Sequence, residues 1–284
     1  MTTLVTGARG TVGRSLAGQL AEAGEPVRAL TRDPAAARFP PGVEVLEGDL
    51  ADPGSLAAAL AGAERLHLFP FPETAPEVVA LAERAGVRRV TVLSSGSVTA
   101  GYDTDYQLPV EQAVEASGLE WTHLRPGEFA ANRLALWGPS IRAERVVRWP
   151  FPDEAGVPIH EADVAAVAVV ALLEEGHAGR AYDMTGPEIL SVPEQVAAIA
   201  AAIGEEVRLE QVSREEALRQ LREQGGWAAV NGPFLLGYEG FSAGEEYPEI
   251  SLEELAPLPT VERVTGRPAR SFARWALDHA ADFR

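Results

Sequence analysis

Short apolar runs alternate with helix-like segments over the first half of this chain of 284 residues. The runs at 3–6, 27–30, 43–46, 65–69, 89–93 and 121–124 predict strands, and the segments at 53–61, 75–85 and 109–117 predict helices. Strands and helices that alternate with short connections are typical of a parallel sheet with helices on both faces. We therefore expect an α/β fold with a doubly wound parallel sheet.

The alternation becomes irregular from about residue 128, where Trp, Phe and Pro are frequent. Helices are predicted at 163–174, 193–203, 213–223 and 270–283, and a late strand at 181–184. The Gly- and aromatic-rich stretch 225–249 is interpreted as a mobile flap. We expect two domains: 1–127 with the sheet, and 128–284 as a small C-terminal α/β lobe from which some segments return to the sheet.

A glycine-rich turn joins the first predicted strand to the first helix. Gly7, Gly10 and Gly13 follow the spacing G-x-x-G-x-x-G, and Thr11 and Val12 open the helical run. In such a turn the first glycine permits the bend, the second lets a pyrophosphate approach the backbone, and the third lets the helix pack closely on the sheet. Backbone N–H groups at a helix N-terminus bind phosphate. The turn therefore predicts a dinucleotide site.

The end of the second predicted strand indicates which dinucleotide binds. NAD-selective sites have a carboxylate here for the ribose 2′-hydroxyl, whereas this chain has Thr31 followed by Arg32. Arg32 can form paired hydrogen bonds with a 2′-phosphate, and Arg9 can flank the same group. Asp33 precedes Pro34 and is interpreted as the cap of a turn. We expect NADP(H); in the alternative, both arginines are solvated surface charges.

Composition excludes several kinds of chemistry. There is no cysteine and no lysine, so all 24 basic residues are arginine. Disulfides, thiolate nucleophiles, Schiff-base lysines and Walker-type phosphate loops are therefore excluded. The net charge of −18 argues against nucleic acid and anionic membranes as partners and leaves a small-molecule substrate. The absence of an 18-residue apolar run and a first strand at residue 3 lead us to expect a cytoplasmic protein without a signal peptide.

Several motifs resemble those of the NmrA-like atypical short-chain dehydrogenases. In chain order they are TGARGTVG at 6–13, VRALTRDP at 27–34, GDL at 48–50, LSS at 93–95, VE at 110–111, SGLEWTHLRPGEFAAN at 117–132, IHEADVA at 159–165 and YDMTGP at 182–187. The resemblance covers roughly residues 2–210. It implies a Rossmann domain with a small C-terminal substrate lobe. It also implies either an NADPH-dependent reductase or a redox-sensing regulator that binds the dinucleotide without turnover.

The resemblance implies roles for individual residues as well. Asp49 and Leu50 take the place beside the adenine, and the residues after the fourth strand line the path of the nicotinamide. With the turn, the arginines and the other strand ends, the predicted cofactor site comprises Gly7, Arg9, Gly10, Thr11, Val12, Gly13, Arg32, Asp49, Leu50, Phe69, Pro70, Ser94, Gln107, Pro126 and Gly127.

The chain departs from the family at the proton relay. Members that use a lysine place it four residues before the position of Glu111, and this chain has Gln107 there. Asp103 stands where the tyrosine of a Tyr-x-x-x-Lys pair would be. Alcohol oxidation by a tyrosinate base is therefore not expected.

Three residues with hydroxyl groups are candidate catalytic donors: Ser95, Tyr102 and Tyr106. Without a lysine nearby, a tyrosine keeps a pKa of about 10 and acts as an acid rather than a base. In the alternative interpretation, the serine caps a turn and the tyrosines pack within their loop. Residues after strand ends are candidates for the wall of an apolar substrate pocket, although core packing is an equal alternative for them: Phe71, Phe129, Asn132 and Trp137.

No metal site is predicted. His160, Glu161 and Asp163 directly precede or begin a helical run, which is more typical of capping than of metal ligation. His123 lies within an apolar strand, which favours a core histidine over a catalytic base.

The leading hypothesis is an NADPH-dependent oxidoreductase that reduces a quinone or conjugated carbonyl by hydride transfer, because a flat electrophile needs little beyond positioning and one hydrogen-bond donor. One alternative is an NADP(H)-sensing protein without turnover. A protein partner would then bind the acidic stretch 201–260, which has twelve Glu and four Arg and is otherwise a solvated face. Another is a non-redox isomerase or cyclase that uses Asp103, Glu128 or His123.

Overall fold

The computed structural model describes residues 1–238 and 256–284. Eleven strands lie within these residues: β1 (Thr2–Val5), β2 (Val27–Thr31), β3 (Val43–Glu47), β4 (Ala63–Leu68), β5 (Arg89–Leu93), β6 (Glu120–Pro126), β7 (Val146–Trp149), β8 (Ala155–Gly156), β9 (Arg180–Met184), β10 (Leu190–Ser191) and β11 (Arg208–Gln211). Seven of them form one parallel sheet in the order β3-β2-β1-β4-β5-β6-β9.

The order of the strands sets the place of the site. β1 pairs with β2, where Thr3 lies opposite Val27, and with β4, where Leu4 lies opposite Leu66. The sequence of strands thus reverses direction between β1 and β4. In open α/β sheets, ligands bind beyond the carboxyl ends of the strands at such a switch point. The predicted Rossmann-type fold is confirmed.

Helices connect the strands of the sheet. The α-helices are α1 (Thr11–Glu22), α2 (Ala57–Leu60), α3 (Ala75–Ala85), α4 (Gly96–Thr99), α5 (Gln107–Glu115), α6 (Asn132–Leu136), α7 (Gly138–Glu144), α8 (Glu161–Leu173), α9 (Val192–Ile203), α10 (Arg214–Gln224), α11 (Gly226–Leu235), α12 (Thr260–Thr265) and α13 (Phe272–Asp278). Short 3-10 helices occupy Pro34–Ala36, Pro53–Leu56, Pro72–Thr74 and Ala280–Phe283. No helix of the described residues is long and apolar enough to span a membrane.

The core of the sheet follows from the apolar pattern of its strands and helices. α3 buries Val78, Val79 and Ala82 on one side, and it packs against α5. These side chains join Leu66 and Val90 of the sheet in one hydrophobic cluster. α1 packs against α8 as a second pair of helices. Burial of these apolar faces holds the strand ends in place.

The chain divides into two compact units. The first contains the seven-stranded sheet and consists of Met1–Gly127, Glu161–Met184 and Thr260–Arg267. The second consists of Glu128–His160, Thr185–Pro259 and Pro268–Arg284, apart from the residues outside the described ranges. In the second unit β7 pairs with β11 in parallel and β8 with β10 antiparallel. That this unit binds substrate stays a prediction.

Two predicted elements of the C-terminal half are wrong. Residues 226–235 of the predicted flap form the helix α11, because Gly225 and Gly226 turn the chain with φ of 76° and 59° and an apolar run follows. The remaining flap residues from 239 onward lie outside the described residues. The predicted helix 270–283 is two pieces, since α13 ends at Asp278 and a 3-10 turn follows.

Candidate cofactor and active site

The turn after β1 is shaped by its three glycines. Gly7 has a φ of +58°, and a Cβ at this position would lie 2.8 Å from the Phe69 side chain. The N–H of Gly10 donates to the carbonyl oxygen of Gly7 at 2.9 Å. A Cβ on Gly13 would overlap that same oxygen and lie 2.8 Å from the Cα of Ala8. Gly13 therefore lets α1 pack closely on the turn, and α1 also lies against β1, β2 and β3 of the sheet.

The N-terminus of α1 offers backbone N–H groups to a ligand. Gly10 is the residue before the helix, and no side chain caps the first turn. The first N–H groups of a helix have no intrahelical acceptor, and together with the helix dipole they favour a phosphate. A Cβ on Gly10 would meet only the Gly7 oxygen, at 3.2 Å. The glycine is therefore not needed to avoid a severe clash within the protein, but the missing Cβ leaves room for a ligand beside the backbone. This cradle fits the pyrophosphate of a dinucleotide.

Arg32 lies at the end of β2 and is exposed. Among residues 1–238 and 256–284, the guanidinium group of Arg32 has no hydrogen-bond or ion-pair partner. Asp33 caps the following 3-10 turn as predicted, since its Oδ1 accepts from the N–H of Ala36 at 3.2 Å. Arg9 lies 3.9 Å from the other oxygen of Asp33, in a pair whose side chains are 47% and 55% exposed. Both arginines can therefore turn toward a 2′-phosphate at little cost.

The ends of β1 and β4 are joined by one hydroxyl group. Thr6 donates from Oγ1 to the carbonyl of His67 at 2.9 Å and accepts from the N–H of Phe69 at 2.7 Å. Phe69 is 38% exposed and packs on Gly7. Thr6 was not among the predicted site residues, although its place before Gly7 was a usable signal. It fixes the residue that was predicted to line the nicotinamide path.

The turn after β3 holds its own backbone. The N–H of Asp49 donates to Ser55 Oγ at 2.9 Å, and Asp49 Oδ1 accepts from the N–H of Ala51 at 3.0 Å. Leu50 is buried, and its carbonyl accepts from Thr74 Oγ1 at 2.6 Å. Asp49 is therefore positioned by local bonds at the same edge of the sheet as the glycine turn. Its role beside the adenine stays a prediction.

The serine after β5 is a helix cap. Ser95 precedes α4, and its Oγ accepts from the N–H of Ser97 at 3.2 Å and from the Ser97 hydroxyl at 2.7 Å. The capping interpretation of this serine thus agrees with its hydrogen bonds. A hydroxyl that accepts two hydrogen bonds still has its own hydrogen to donate, so capping does not remove Ser95 as a donor.

Tyr106 is 43% exposed, and its hydroxyl lies 3.4 Å from the carbonyl oxygen of Pro70. Its partial burial and the carboxylates of Glu73 and Asp103 raise the pKa of Tyr106 above the ordinary value. A phenol with a raised pKa stays protonated at neutral pH and can donate a proton. Tyr102 is half-buried, and its N–H donates to the carbonyl of Ser97 at 2.8 Å.

Asp103 binds the backbone at the start of α5. It is 7% exposed, and its Oδ1 accepts from the N–H groups of Tyr106 and Gln107 at 3.1 and 2.9 Å. These bonds begin the helix at Gln107, two residues before the predicted start. The Oε1 of Gln107 is buried and has no hydrogen-bond partner among the described residues. The alternative of an isomerase or cyclase that uses Asp103, Glu128 or His123 stays a prediction.

A partly buried ion pair lies beside these residues, and the sequence alone did not reveal it. Arg125, near the end of β6, donates from Nε and NH2 to the two carboxylate oxygens of Glu111 at 2.9 and 2.5 Å. Glu111 is 1% exposed. Although burial opposes its ionisation, the hydrogen bonds from Arg125 lower the pKa of Glu111. A charged residue in an otherwise apolar strand was the available signal for Arg125.

His123 is a core residue, as its strand position indicates. It is fully buried, stacks on Trp121 at 4.4 Å between ring centroids, and its Nε2 lies 3.1 Å from Glu115. Burial lowers the pKa of His123, so the ring is neutral at neutral pH. His123, Glu115 and Glu111 are close enough to one another for a shared metal ion. Arg125 already engages both oxygens of Glu111, so we assign no metal to this group.

The residues predicted to form a substrate wall have different environments. In the first unit, Phe71 is half-buried and packs against the cluster around α3. In the second unit, Phe129 is half-buried and bridges to Ile159, and Asn132 begins α6. Trp137 is 2% exposed and lies in the hydrophobic core of the second unit. Trp137 therefore packs as a core residue, which was the alternative interpretation, and a place for it in a pocket wall stays a prediction.

The family model for NAD(P)H-binding proteins matches residues 7–175, which include the glycine turn, Arg32 and the Glu111–Arg125 pair. The chain belongs to this family. The match confirms a dinucleotide of the NAD(P)H type as the cofactor.

Two relatives align with the chain over almost its whole length. The (4-alkanoyl-5-oxo-2,5-dihydrofuran-3-yl)methyl phosphate reductase of Streptomyces griseus is 39% identical over 99% of this chain and 98% of its own. The NAD(P)H azoreductase of Xenophilus azovorans is 36% identical, again over 99% and 98%. Both are reductases, and the predicted class of oxidoreductase is confirmed at this level.

The fold is also that of NmrA, a negative transcriptional regulator solved in complex with NADP. The two chains are 19% identical, with a TM-score of 0.69 over 98% of this chain and 94% of NmrA. At this identity the likeness is one of fold. Together with the family match, it confirms the predicted NmrA-like type.

Proposed function

We propose that the protein is an NADPH-dependent reductase whose acceptor is a small, apolar and activated molecule, a quinone or a conjugated carbonyl compound. The residues at the position of the proton relay carry the proposal. Gln107 stands in the place of the relay lysine, while Asp103 is used as a helix cap and Tyr106 has a raised pKa. These residues provide a proton donor, but they do not provide a base for the hydroxyl of an alcohol.

The balance of the reaction fits these residues. When bound, NADPH supplies the hydride. The acceptor also takes up one proton, so that a quinone becomes a hydroquinone and an enone becomes the saturated ketone. The phenol of Tyr106 or Tyr102, or water, can deliver that proton. The hydroxyl of Ser95 can donate a hydrogen bond to the oxyanion that develops on the acceptor.

The two full-length relatives support an acceptor with a polarised double bond. The name of the 39% identical relative describes a ring in which a carbon–carbon double bond is conjugated with carbonyl groups. The name of the 36% identical relative describes reduction of an azo group, which is also a double bond between electrophilic atoms. Neither name describes an unactivated ketone as the acceptor.

A panel of acceptors tests the proposal. Purified protein is mixed with NADPH and, separately, a naphthoquinone, a 2-acyl butenolide, a linear enone and an azo dye, and the absorbance at 340 nm is followed. We expect oxidation of NADPH with the quinone or the conjugated carbonyls. In parallel, NADP⁺ is offered with simple secondary alcohols between about pH 7 and 9, where we expect negligible reduction of the cofactor.

The outcomes separate the hypotheses. Tight binding of NADPH without oxidation by any acceptor would favour the sensing protein. Rapid oxidation of an unactivated alcohol near neutral pH would show that a working base exists and would contradict the proposal. The variant Gly10→Val, which is expected to bind no cofactor, controls for contaminating reductases.

A further inference from the structure

One polar network ties together several elements beyond the carboxyl end of the sheet. It begins with the pair of Glu111 in α5 and Arg125 in β6. The remaining guanidinium nitrogen of Arg125, NH1, donates to Thr99 Oγ1 in α4 at 3.1 Å. Thr99 in turn donates to Asp183 Oδ1 in β9 at 2.6 Å. All four residues belong to the first unit.

The network holds the segment that carries the candidate proton donors, which we call the donor loop and define as residues 94–106. At its start, the N–H of Ser94 donates to the carbonyl of Leu124 at 2.7 Å. In its middle, Thr99 is bound by Arg125. At its end, the loop enters α5, one turn of which separates Gln107 from Glu111. Arg125 thus contacts the loop directly and the following helix through Glu111.

The chemistry of Arg125 points to a geometric role. Its hydrogen bonds with Glu111 raise the pKa of a group that is already protonated at all relevant pH values. It cannot exchange protons with a substrate, and its charge is matched by a buried carboxylate. Its planar fork, in contrast, fixes two oxygen atoms and one hydroxyl in defined directions. An ammonium group cannot reproduce this arrangement.

We propose that Arg125 is a positioning residue of the reduction: paired with Glu111 and bound to Thr99, it holds the donor loop where Ser95, Tyr102 and Tyr106 meet the acceptor. The expected effect of Arg125 on the rate rests on the proposed function, whereas its expected effect on the donor loop does not. A misplacement of about 1 Å in a reacting group can lower a rate by about a hundredfold.

The test compares Arg125→Lys with Arg89→Lys. Arg89, at the start of β5, binds Glu120 at 3.1 Å and Glu175 at 2.8 Å, so it makes a similar ion-pair set at the amino end of the sheet. We expect Arg125→Lys to lower kcat for the acceptor by about 10- to 100-fold while the Kd for NADPH changes less than about twofold. Arg89→Lys should lower stability without changing kcat.

Hydrogen exchange of residues 94–106 provides a readout independent of activity. In Arg125→Lys these amides should exchange faster than in the wild type, and in Arg89→Lys they should not. Thr99→Val removes only the hydroxyl in the loop and provides a second, milder variant if Arg125→Lys fails to fold. It should show the same exchange pattern and a smaller loss of kcat.

Each result either supports or overturns the positioning role of Arg125. If Arg125→Lys loses stability but keeps kcat and the exchange of the donor loop, the residue is merely structural and the inference is wrong. A Kd for NADPH that rises in step with the loss of kcat would instead assign Arg125 to cofactor binding. If the wild type reduces no acceptor, the proposed function fails, and the exchange data still decide whether Arg125 holds the loop.

Discussion

The turn after β1 and the donor loop after β5 lie at the same edge of the sheet, but they are held in different ways. The turn is shaped by its own backbone, through the Gly10–Gly7 hydrogen bond and the missing Cβ atoms. The donor loop has its own caps at Ser95 and Asp103, and in addition Thr99 bonds to side chains of other elements, Arg125 and Asp183. The turn that is predicted to bind pyrophosphate is thus encoded locally, whereas the loop that is proposed to face the acceptor also depends on residues distant in sequence.

The largest effect is expected from a side chain placed in the turn after β1. Gly10 has a φ of −69°, which any residue can adopt, so Gly10→Val should fold but block the approach of pyrophosphate to the backbone. The wild type should gain about 2.7 kcal/mol of stability at NADPH concentrations of about 100 times Kd, and the variant should gain almost nothing. Thermal melts with and without NADPH measure this.

Gly10→Ala is the milder companion variant. A melting temperature far below that of the wild type in the absence of NADPH would mean that Gly10 serves folding. Full ligand stabilisation in either variant would show that the pyrophosphate does not approach this residue.

The charge beside the turn should decide between the two dinucleotides. Arg32→Ala removes a charge-assisted contact with the 2′-phosphate and should cost about 1.5–3 kcal/mol of NADPH affinity, roughly ten- to a hundredfold in Kd. The affinity for NADH should barely change. Binding titrations with both cofactors measure the difference, and Arg38→Ala, an exposed arginine of the same stretch, serves as the control. An unchanged preference would shift the role to Arg9.

Two glycines of α1 offer a matched pair for the steric part of the comparison. A Cβ on Gly13 would overlap the turn, whereas a Cβ on Gly18 would meet nothing within 4 Å. Gly13→Ala should therefore lower the free energy of unfolding by about 1–3 kcal/mol. Gly18→Ala should raise it by about 0.5–1 kcal/mol, because alanine favours a helix interior. Urea titrations measure the free energy of unfolding of both variants. Equal changes in Gly13→Ala and Gly18→Ala would contradict the packing argument.

The smallest effect is expected from pH in the donor loop. Because burial, Glu73 and Asp103 raise the pKa of Tyr106, its phenol stays protonated throughout the range from about pH 7 to 9. Ionisation of Tyr106 should therefore change kcat for acceptor reduction by less than about twofold over this range. A stopped-flow pH profile measures this. A fall of about tenfold per pH unit that disappears in Tyr106→Phe would show that the pKa of Tyr106 is lowered rather than raised.

The sequence was sufficient for the features that depend on local pattern. The apolar period predicted the six strands of the first half, and the glycine spacing with Arg32 predicted the dinucleotide site. Each of these depends on residues close to one another in the chain. The cap formed by Asp33 is of the same kind, since its partner Ala36 is three residues away.

Features that depend on packing between distant elements were not predictable in this way. Glu111 and Arg125 meet only because α5 packs beside β6, and no periodicity reveals their pairing. Asp103 has a sequence position that suggests a catalytic site, but its contacts with the α5 backbone make it a cap. Trp137 and Phe71 have similar patterns in sequence, and only burial separates a core residue from a half-buried one.

The absence of an internal partner for Arg32 among the described residues has a consequence for ionic strength. A 2′-phosphate that binds there displaces small anions from solution rather than a carboxylate of the protein. The contact is exposed, and the Debye length shortens from about 10 Å at 0.1 M salt to about 3 Å at 1 M. Added salt should therefore narrow the preference for NADPH over NADH, and inorganic phosphate in the buffer should compete for the same arginine. The preference for NADPH over NADH therefore depends on the ions in solution as well as on the protein.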